Sequence, residues 1–363
     1  MRLERHWHVV LLTAIALALT VPTNLVFGQQ RGQVVVSTYG GSFIAAQRKA
    51  YFEPFERETG IHVVTTGEPE IAKVKAMVLS KNTEWDVAEF TMAGMYVMQQ
   101  QNLLARIDYS GFPKSELSDM IPEVVTPYGI GTLVFGDVIA YNTKMYSAAT
   151  APTTWAQFWD FQRFPGKRSI LAMDYDPAPL EVALLADGVS PKDLYPLDID
   201  RAFRSLERIR PQILKWGGTG GVDAISLLAT GEVVLSMAST GNVNNMIAQG
   251  GPIGATINEG LLYTDVWVIP QGAKNYQNAL RFLQFASAAR NQAVMAAIYP
   301  NGPANRGAYR YLSPEVAAKL PTSPQNLPKM ILVNAKWWAQ TDASGKTNAE
   351  RVADVWHRWI LRR

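Results

Sequence analysis

VVVSTYGGSF, residues 34–43, is the stretch that decides the fold. Three consecutive β-branched residues predict a strand over Gln33–Ser37. The following Thr38–Ser42 loop holds two glycines, and beyond it apolar residues recur at Phe43, Ala46, Ala50, Phe52 and Phe55. That spacing predicts a helix from about Phe43 to Thr59, with its apolar face in the core, and Gly60 as the left-handed residue that stops it. Strand, glycine turn and helix make the first unit of an α/β layer. The loop itself is either a plain turn or a cradle of backbone amides. Gly40 and Gly41 permit close backbone approach, and the first N–H groups of a helix have no partner inside it.

Working outward, the alternation continues. Strands are expected at Ile61–Thr65 and Asp86–Phe90, with helices at Ile71–Leu79 and Met95–Asn102. A second α/β segment opens near Thr153, where TTWAQFWD reads as a capped helix and PGKR (165–168) as a turn into the strand SILAMD. Helices at Asp200–Ile209 and Asp223–Thr230 and a strand at EVVLSMA (232–238) follow. Two β-rich stretches, FGDVIAYNT (135–143) and YTDVWVIP (263–270), flank this block where the chain would cross out of one domain and back. Alternating elements predict an α/β fold.

The chain has 363 residues, room for about two domains. Its 34 Lys and Arg against 31 Asp and Glu leave a net charge of +3, scattered along the sequence, which argues against nucleic acid as a partner. Arg2 and Arg5 precede an apolar run from Val9 to Val21 and a small residue at Gly28, the pattern of a secretory signal peptide over residues 1–28. That run falls short of the roughly 20 apolar residues a bilayer span needs, which disfavours an uncleaved anchor. With no cysteine, a disulfide, a thiolate metal site, a catalytic thiol and a lipid-bearing Cys are all excluded. Beyond the signal segment only His62 and His357 remain, neither at metal spacing from a partner, so no metal or cofactor is expected.

Catalytic signatures are missing. There is no G-x-S-x-G, no H-E-x-x-H and no G-x-x-x-x-G-K-[ST], and GGTGG (217–221) lacks the Lys-Ser/Thr of a phosphate loop. Binding is better supported. In open α/β sheets ligands gather at the carboxyl ends of strands, and Tyr39 with Gly40, Gly41 and Ser42, Thr91 in EFTMAGMY, and Asp174 in LAMDYD all follow expected strands. Together they suggest one cleft.

At VVVSTYGGSFIAAQRKAYFEPFERETGI, WDVAEFTMAGMYVMQQQNLLARIDYS, YGIGTLVFGDVIAYNT, TTWAQFWDFQRFPGKRSIL, EVALLADGVSPKDLYPL, LLATGEVVLSMA and VWVIPQGAKN the chain resembles the periplasmic solute-binding proteins of ABC importers, spermidine/putrescine type. The resemblance implies a type II periplasmic-binding-protein fold, two α/β lobes joined by crossing hinge strands. Residues 29–138 and 266–303 would form one lobe, and 139–265 and 304–363 the other. It also implies an exported, monomeric, non-enzymatic receptor without a lipid anchor, which carries a small solute to membrane permease subunits. By the same resemblance, Ser239, Thr240, Tyr263 and Asp265 join Tyr39, Gly40, Thr91 and Asp174 in the site. Aromatic walls would hold the methylenes of a polyamine, and Asp174 and Asp265 its ammonium groups. Ser239 stands where such a wall is usual, and Ala93 where a Tyr is usual. A second cargo is therefore a zwitterion such as γ-aminobutyrate, its carboxylate on the Gly40-Gly41-Ser42 amides and its amine on Asp265. Iron is disfavoured because no Tyr-Tyr pair exists. A periplasmic hydrolase and a sensory receptor on the same scaffold are the rivals from other classes.

Overall fold

The computed structural model describes residues 32–172, 179–217 and 222–361. The signal-peptide expectation, Asp174 and most of GGTGG lie outside them. In chain order the strands are β1 (Gln33–Ser37), β2 (His62–Thr66), β3 (Val87–Thr91), β4 (Val125–Thr126), β5 (Gly129–Asn142) and β6 (Arg168–Leu171). There follow β7 (Ile213–Gly217), β8 (Leu235–Ser239), β9 (Ile253–Val268), β10 (Gly302–Pro303) and β11 (Ile331–Leu332). They join in one mixed sheet with the order β2-β1-β3-β9-β5-β8-β6-β7, with the short strands β4 and β10 pairing with β5 and β11 with β9.

The pairing follows from the connections. β1 pairs in parallel with β2 and β3, as expected of strands linked through helices, and β6 pairs in parallel with β7 and β8. Between these parallel groups run the long strands β5 and β9, antiparallel to each other and to their outer neighbours β8 and β3. Both reach well beyond the β-rich stretches visible in the sequence. β5 is register-shifted between Gly131 and Leu133 and between Asp137 and Ile139, irregularities that bend a strand and re-aim its side chains.

The first helical run spans Gly41–Thr59, with a π-helical segment at Arg48–Phe52. Gly60 ends it with φ +69°, the left-handed C-cap anticipated from the sequence. Its inward face is the expected one, since Phe43, Ala46, Ala50, Phe52 and Phe55 are all buried. They pack with Trp267 and Phe282 under the β1–β3 end of the sheet. A separate core under the β6–β8 end is built from Trp155, Phe158, Leu180, Trp338, Trp356 and neighbours.

Several boundaries differ from expectation, each for a local reason. The helix expected from Met95 starts at Met92, because Thr91 caps it by accepting a bond from the Gly94 amide at 3.2 Å. TTWAQFWD does carry a Thr154 cap, but its helix Trp155–Phe158 is a single turn. Arg168 is the first residue of β6 rather than part of a turn, and it is fully buried. Its guanidinium donates to the Phe158, Gly166 and Phe164 carbonyls, which satisfies the buried charge.

Candidate functional site

Register, more than sequence proximity, assembles the site. On β9, Asp265 lies opposite Thr91 of β3 on one side and Leu133 of β5 on the other. Two residues along, Tyr263 lies opposite Phe135, and Asp137 lies opposite Ser239 of β8. Directly paired residues, and residues i and i+2 on one strand, project to the same side of a sheet. Thr91, Asp265, Phe135, Tyr263, Asp137 and Ser239 therefore form one floor across four strands. The Phe135 and Tyr263 rings confirm the shared face, stacking at 5.3 Å between centroids with 18° between planes. Asp265 is 7% exposed and Asp137 1%, so both carboxylates face a largely dry environment.

The termini of three helical segments meet this floor. Thr91 caps Met92–Gln100, and Ser239 caps Thr240–Ala248 by accepting from the Asn242 amide at 3.4 Å. Thr240 is buried, and its hydroxyl has no hydrogen-bond partner among the described residues. The third is the loop of the opening sequence. Here Gly41 has φ +66°, a conformation that glycine adopts at little cost, and Gly40 gives the helix no side-chain cap. Gly40, Gly41 and Ser42 are exposed and Tyr39 half-buried. Ser37 pairs with Ala88, so β3 lies between β1 and β9. The loop leaves the end of β1, a strand that runs two strand spacings, roughly 10 Å, from β9. An edge-on aromatic chain runs from Tyr39 to Phe43 at 6.0 Å and from Phe43 to Tyr299 at 5.3 Å.

Beneath the loop is a buried polar cluster. The fully buried Glu89 carboxyl receives contacts from Thr38 Oγ1 at 2.6 Å, Gln47 Nε2 at 2.6 Å and Thr132 Oγ1 at 2.7 Å. Burial pushes its pKa up from the ordinary glutamate value, against the lowering effect of these hydrogen bonds.

The sequence-expected positions thus divide. Thr91, Asp265, Tyr263 and Ser239 are on the floor, Tyr39 to Ser42 are at its edge, Thr240 opens the adjoining helix, and Asp174 is outside the described residues. Sequence reasoning passed over Phe135, Asp137, Glu89 and Tyr299. Two of these carried a readable signal, an acid inside an otherwise apolar strand, in FGDVIAYNT and in DVAEF. Chemically, the floor offers the carboxyl groups of Asp265 and Asp137, a stacked aromatic face between them, and the positive end of an uncapped helix. Among the described residues no group of three or more His, Cys, Asp or Glu side chains can hold a metal ion, and no helix is long and apolar enough to cross a membrane. His62 is a surface residue, its Nδ1 2.6 Å from Glu56 Oε1.

Parallel groups joined by two long crossing strands are the mixed α/β fold of the periplasmic binding proteins. The chain belongs to the bacterial extracellular solute-binding proteins, a family that matches residues 50–322. It is 37% identical over 343 residues to the γ-aminobutyric acid-binding protein of Pseudomonas aeruginosa, covering 92% of each chain. The spermidine/putrescine-binding periplasmic protein of Escherichia coli is more distant, 26% identical over 278 residues, 73% of this chain and 76% of that one. Among solved structures, a GABA receptor superposes with a TM-score of 0.81 at 30% identity, covering 92% of this chain and 98% of that chain. The A. tumefaciens R10 binding protein in complex with agropinic acid gives 0.70 at 35% identity, covering 91% and 99%.

Proposed function

We propose that this protein is the substrate-binding component of an ABC importer and that its cargo is an ω-amino acid of the γ-aminobutyrate class. One observation carries the reading. An uncapped helix start at Gly41 follows β1, and the buried Asp265 lies on β9, two strands, roughly 10 Å, away in the sheet. A short zwitterion spans them with its carboxylate on the amides of Gly41 and Ser42 and its ammonium on Asp265, while its methylenes lie against Tyr263 and Tyr39. The identity to a γ-aminobutyric acid-binding protein across nearly the whole chain supports the same cargo class.

Polyamine, the first expectation from sequence, is the second reading. Asp137 and Asp265 with the stacked Phe135–Tyr263 pair between them favour it. Against it, the amides at Gly41 present partial positive charge, which repels an ammonium group. The chain's relatives are binding proteins rather than enzymes, which argues against the hydrolase alternative.

In this reading, residues 29–138 with 266–303 and residues 139–265 with 304–363 move as two lobes about β5 and β9. Solute contacts made only in the closed state drive the closure. The closed monomer then docks on the permease. Residues 1–28 direct export, and the mature chain works in the periplasm.

Thermal shift tests the cargo. A ligand that binds only the folded state adds RT ln(1 + [L]/Kd), about 2.7 kcal/mol at 100 Kd. γ-Aminobutyrate is expected to raise the melting temperature, and putrescine and spermidine to leave it unchanged. The opposite pattern replaces the zwitterion with a polyamine, and no shift with any of them refutes both cargoes.

A further inference from the structure

We propose that Glu89 is a positioning residue of the solute site, held as a neutral carboxylic acid that closes a three-membered hydrogen-bond ring with Thr38 and Gln47 beneath the first loop. The ring has three edges: Thr38 Oγ1 to Gln47 Oε1 at 2.8 Å, Thr38 Oγ1 to Glu89 Oε2 at 2.6 Å, and Gln47 Nε2 to Glu89 Oε2 at 2.6 Å. Each edge needs one hydrogen. Thr38 supplies a single hydroxyl hydrogen, and the Gln47 amide supplies one along whichever edge its nitrogen faces. The third hydrogen has only one source, the carboxyl of Glu89. An ionised Glu89 would leave two lone-pair-bearing oxygens facing each other at hydrogen-bond distance in a buried site, which is costly.

The surroundings agree with a neutral acid. Glu89 forms no ion pair among the described residues, and its cross-strand neighbour on β9 is the buried Trp267. From β5 it meets the hydroxyl of Thr132, which donates to the remaining oxygen Oε1. The titratable group facing it from the helical run is Tyr51, a buried phenol whose own pKa is raised by burial and by Glu89. Desolvation favours the uncharged carboxyl.

The ring matters to the site through its members' places in the chain, and this step rests on the proposed role of the loop. Thr38 directly precedes Tyr39, and Gln47 ends the first α-helical segment Gly41–Gln47. Thr132 lies in the bulge beside Leu133, opposite Asp265. A closed ring therefore fixes the loop's amides relative to the crossing strands. When Glu89 ionises, one edge opens and the loop loosens.

The test uses Glu89→Gln. With the Gln47 amide turned so that its oxygen faces residue 89, the two hydrogens of the new amide nitrogen reach Gln47 Oε1 and Thr38 Oγ1 and complete the ring without titrating, and the new carbonyl still accepts from Thr132. The probe is γ-aminobutyrate, whose two ends keep their charges between about pH 6 and 9. In the wild type, Kd measured by calorimetry should weaken by about tenfold, the worth of one hydrogen bond, wherever Glu89 ionises within the probe's pH range. In E89Q it should stay flat and within about threefold of the wild-type value at pH 6. A wild-type-minus-E89Q infrared difference spectrum at pH 7 should show the carbonyl band of a protonated carboxylic acid. A pH slope in E89Q, loss of binding by E89Q at pH 6, or absence of the band overturns the proposal, and a flat wild-type profile agrees with it only if the infrared band persists to about pH 9. If γ-aminobutyrate fails to bind at every pH, the cargo assignment falls, and the infrared band alone decides the state of Glu89.

Discussion

Asp265→Asn tests charge recognition most directly. The side chain is only 7% exposed and sits between Thr91 and Leu133 on neighbouring strands. An ammonium about 3 Å away, at the effective dielectric of about 20 that suits such sites, gains roughly 5 kcal/mol of Coulomb attraction. Desolvation of both partners offsets part of this gain. Removing one member of a buried pair nevertheless costs about 3–5 kcal/mol, because the other charge is left uncompensated. At 1.4 kcal/mol per tenfold, Kd for γ-aminobutyrate should rise by roughly 100- to 4,000-fold in D265N. Isothermal calorimetry at fixed pH measures it, with butyrate, which lacks the amine, as the control ligand. The asparagine keeps the shape of the site and removes a carboxylate that butyrate leaves uncompensated, so butyrate should bind D265N at least as well as wild type. A change of less than about threefold for γ-aminobutyrate would remove Asp265 from amine recognition, and an equal loss for butyrate would show a structural role instead.

Other outcomes are expected. Phe135→Ala removes the ring stacked on Tyr263, and solute affinity should fall by about 0.5–1.5 kcal/mol beyond any area effect, read by the same calorimetry; unchanged affinity would take the aromatic pair out of the site. Glu181 is fully buried, with Tyr195 Oη at 2.6 Å and Trp338 Nε1 at 2.8 Å on one oxygen, and burial pushes its pKa up to about 7. Because the folded value exceeds the unfolded one near 4.3, the folded state holds more protons. The stability from this group is therefore complete below the unfolded pKa and lost as pH rises through about 7. Melting curves from about pH 5 to 8 should fall less steeply for Glu181→Gln than for wild type, and equal slopes would refute this. Thr347 and Glu350 form a capping box on the helix Asn348–Ile360, so Thr347→Ala should cost about 1 kcal/mol and lower the melting temperature by about 2 °C, with solute affinity untouched.

What could be read from sequence was local. The valine run at 34–36, the apolar spacing that follows and the stop at Gly60 gave the first strand and helix within a residue or two, because each depends on neighbours in the chain. β5 and β9 were visible only in part. They carry Gly131, Gly136, Gly254 and Gly260, which read as breaks. Gly136 and Gly260 instead make room for the Met330 side chain, whose Cε would meet an added Cβ at 2.8 and 2.6 Å. In the site, Asp265 and Tyr263 were picked out by resemblance, but nothing local shows that Thr91 lies opposite Asp265 or Phe135 opposite Tyr263. Those neighbours are set by antiparallel pairing between distant segments. Glu89 was hidden for the same reason. In sequence it is one residue of a strand, and only folding brings Thr38, Gln47 and Thr132 around it.

The pairing of β3 with β9 also sets a clock on biogenesis. Thr91 and Asp265 are 174 residues apart (265 − 91), and β3 has no other neighbour on that side of the sheet. At about 5–20 residues per second, a ribosome needs roughly 10–35 s to go from one to the other. Through that interval the amino-terminal strands wait with an open edge at β3. The late return of β9 postpones closure of the sheet until nearly three-quarters of the chain exists.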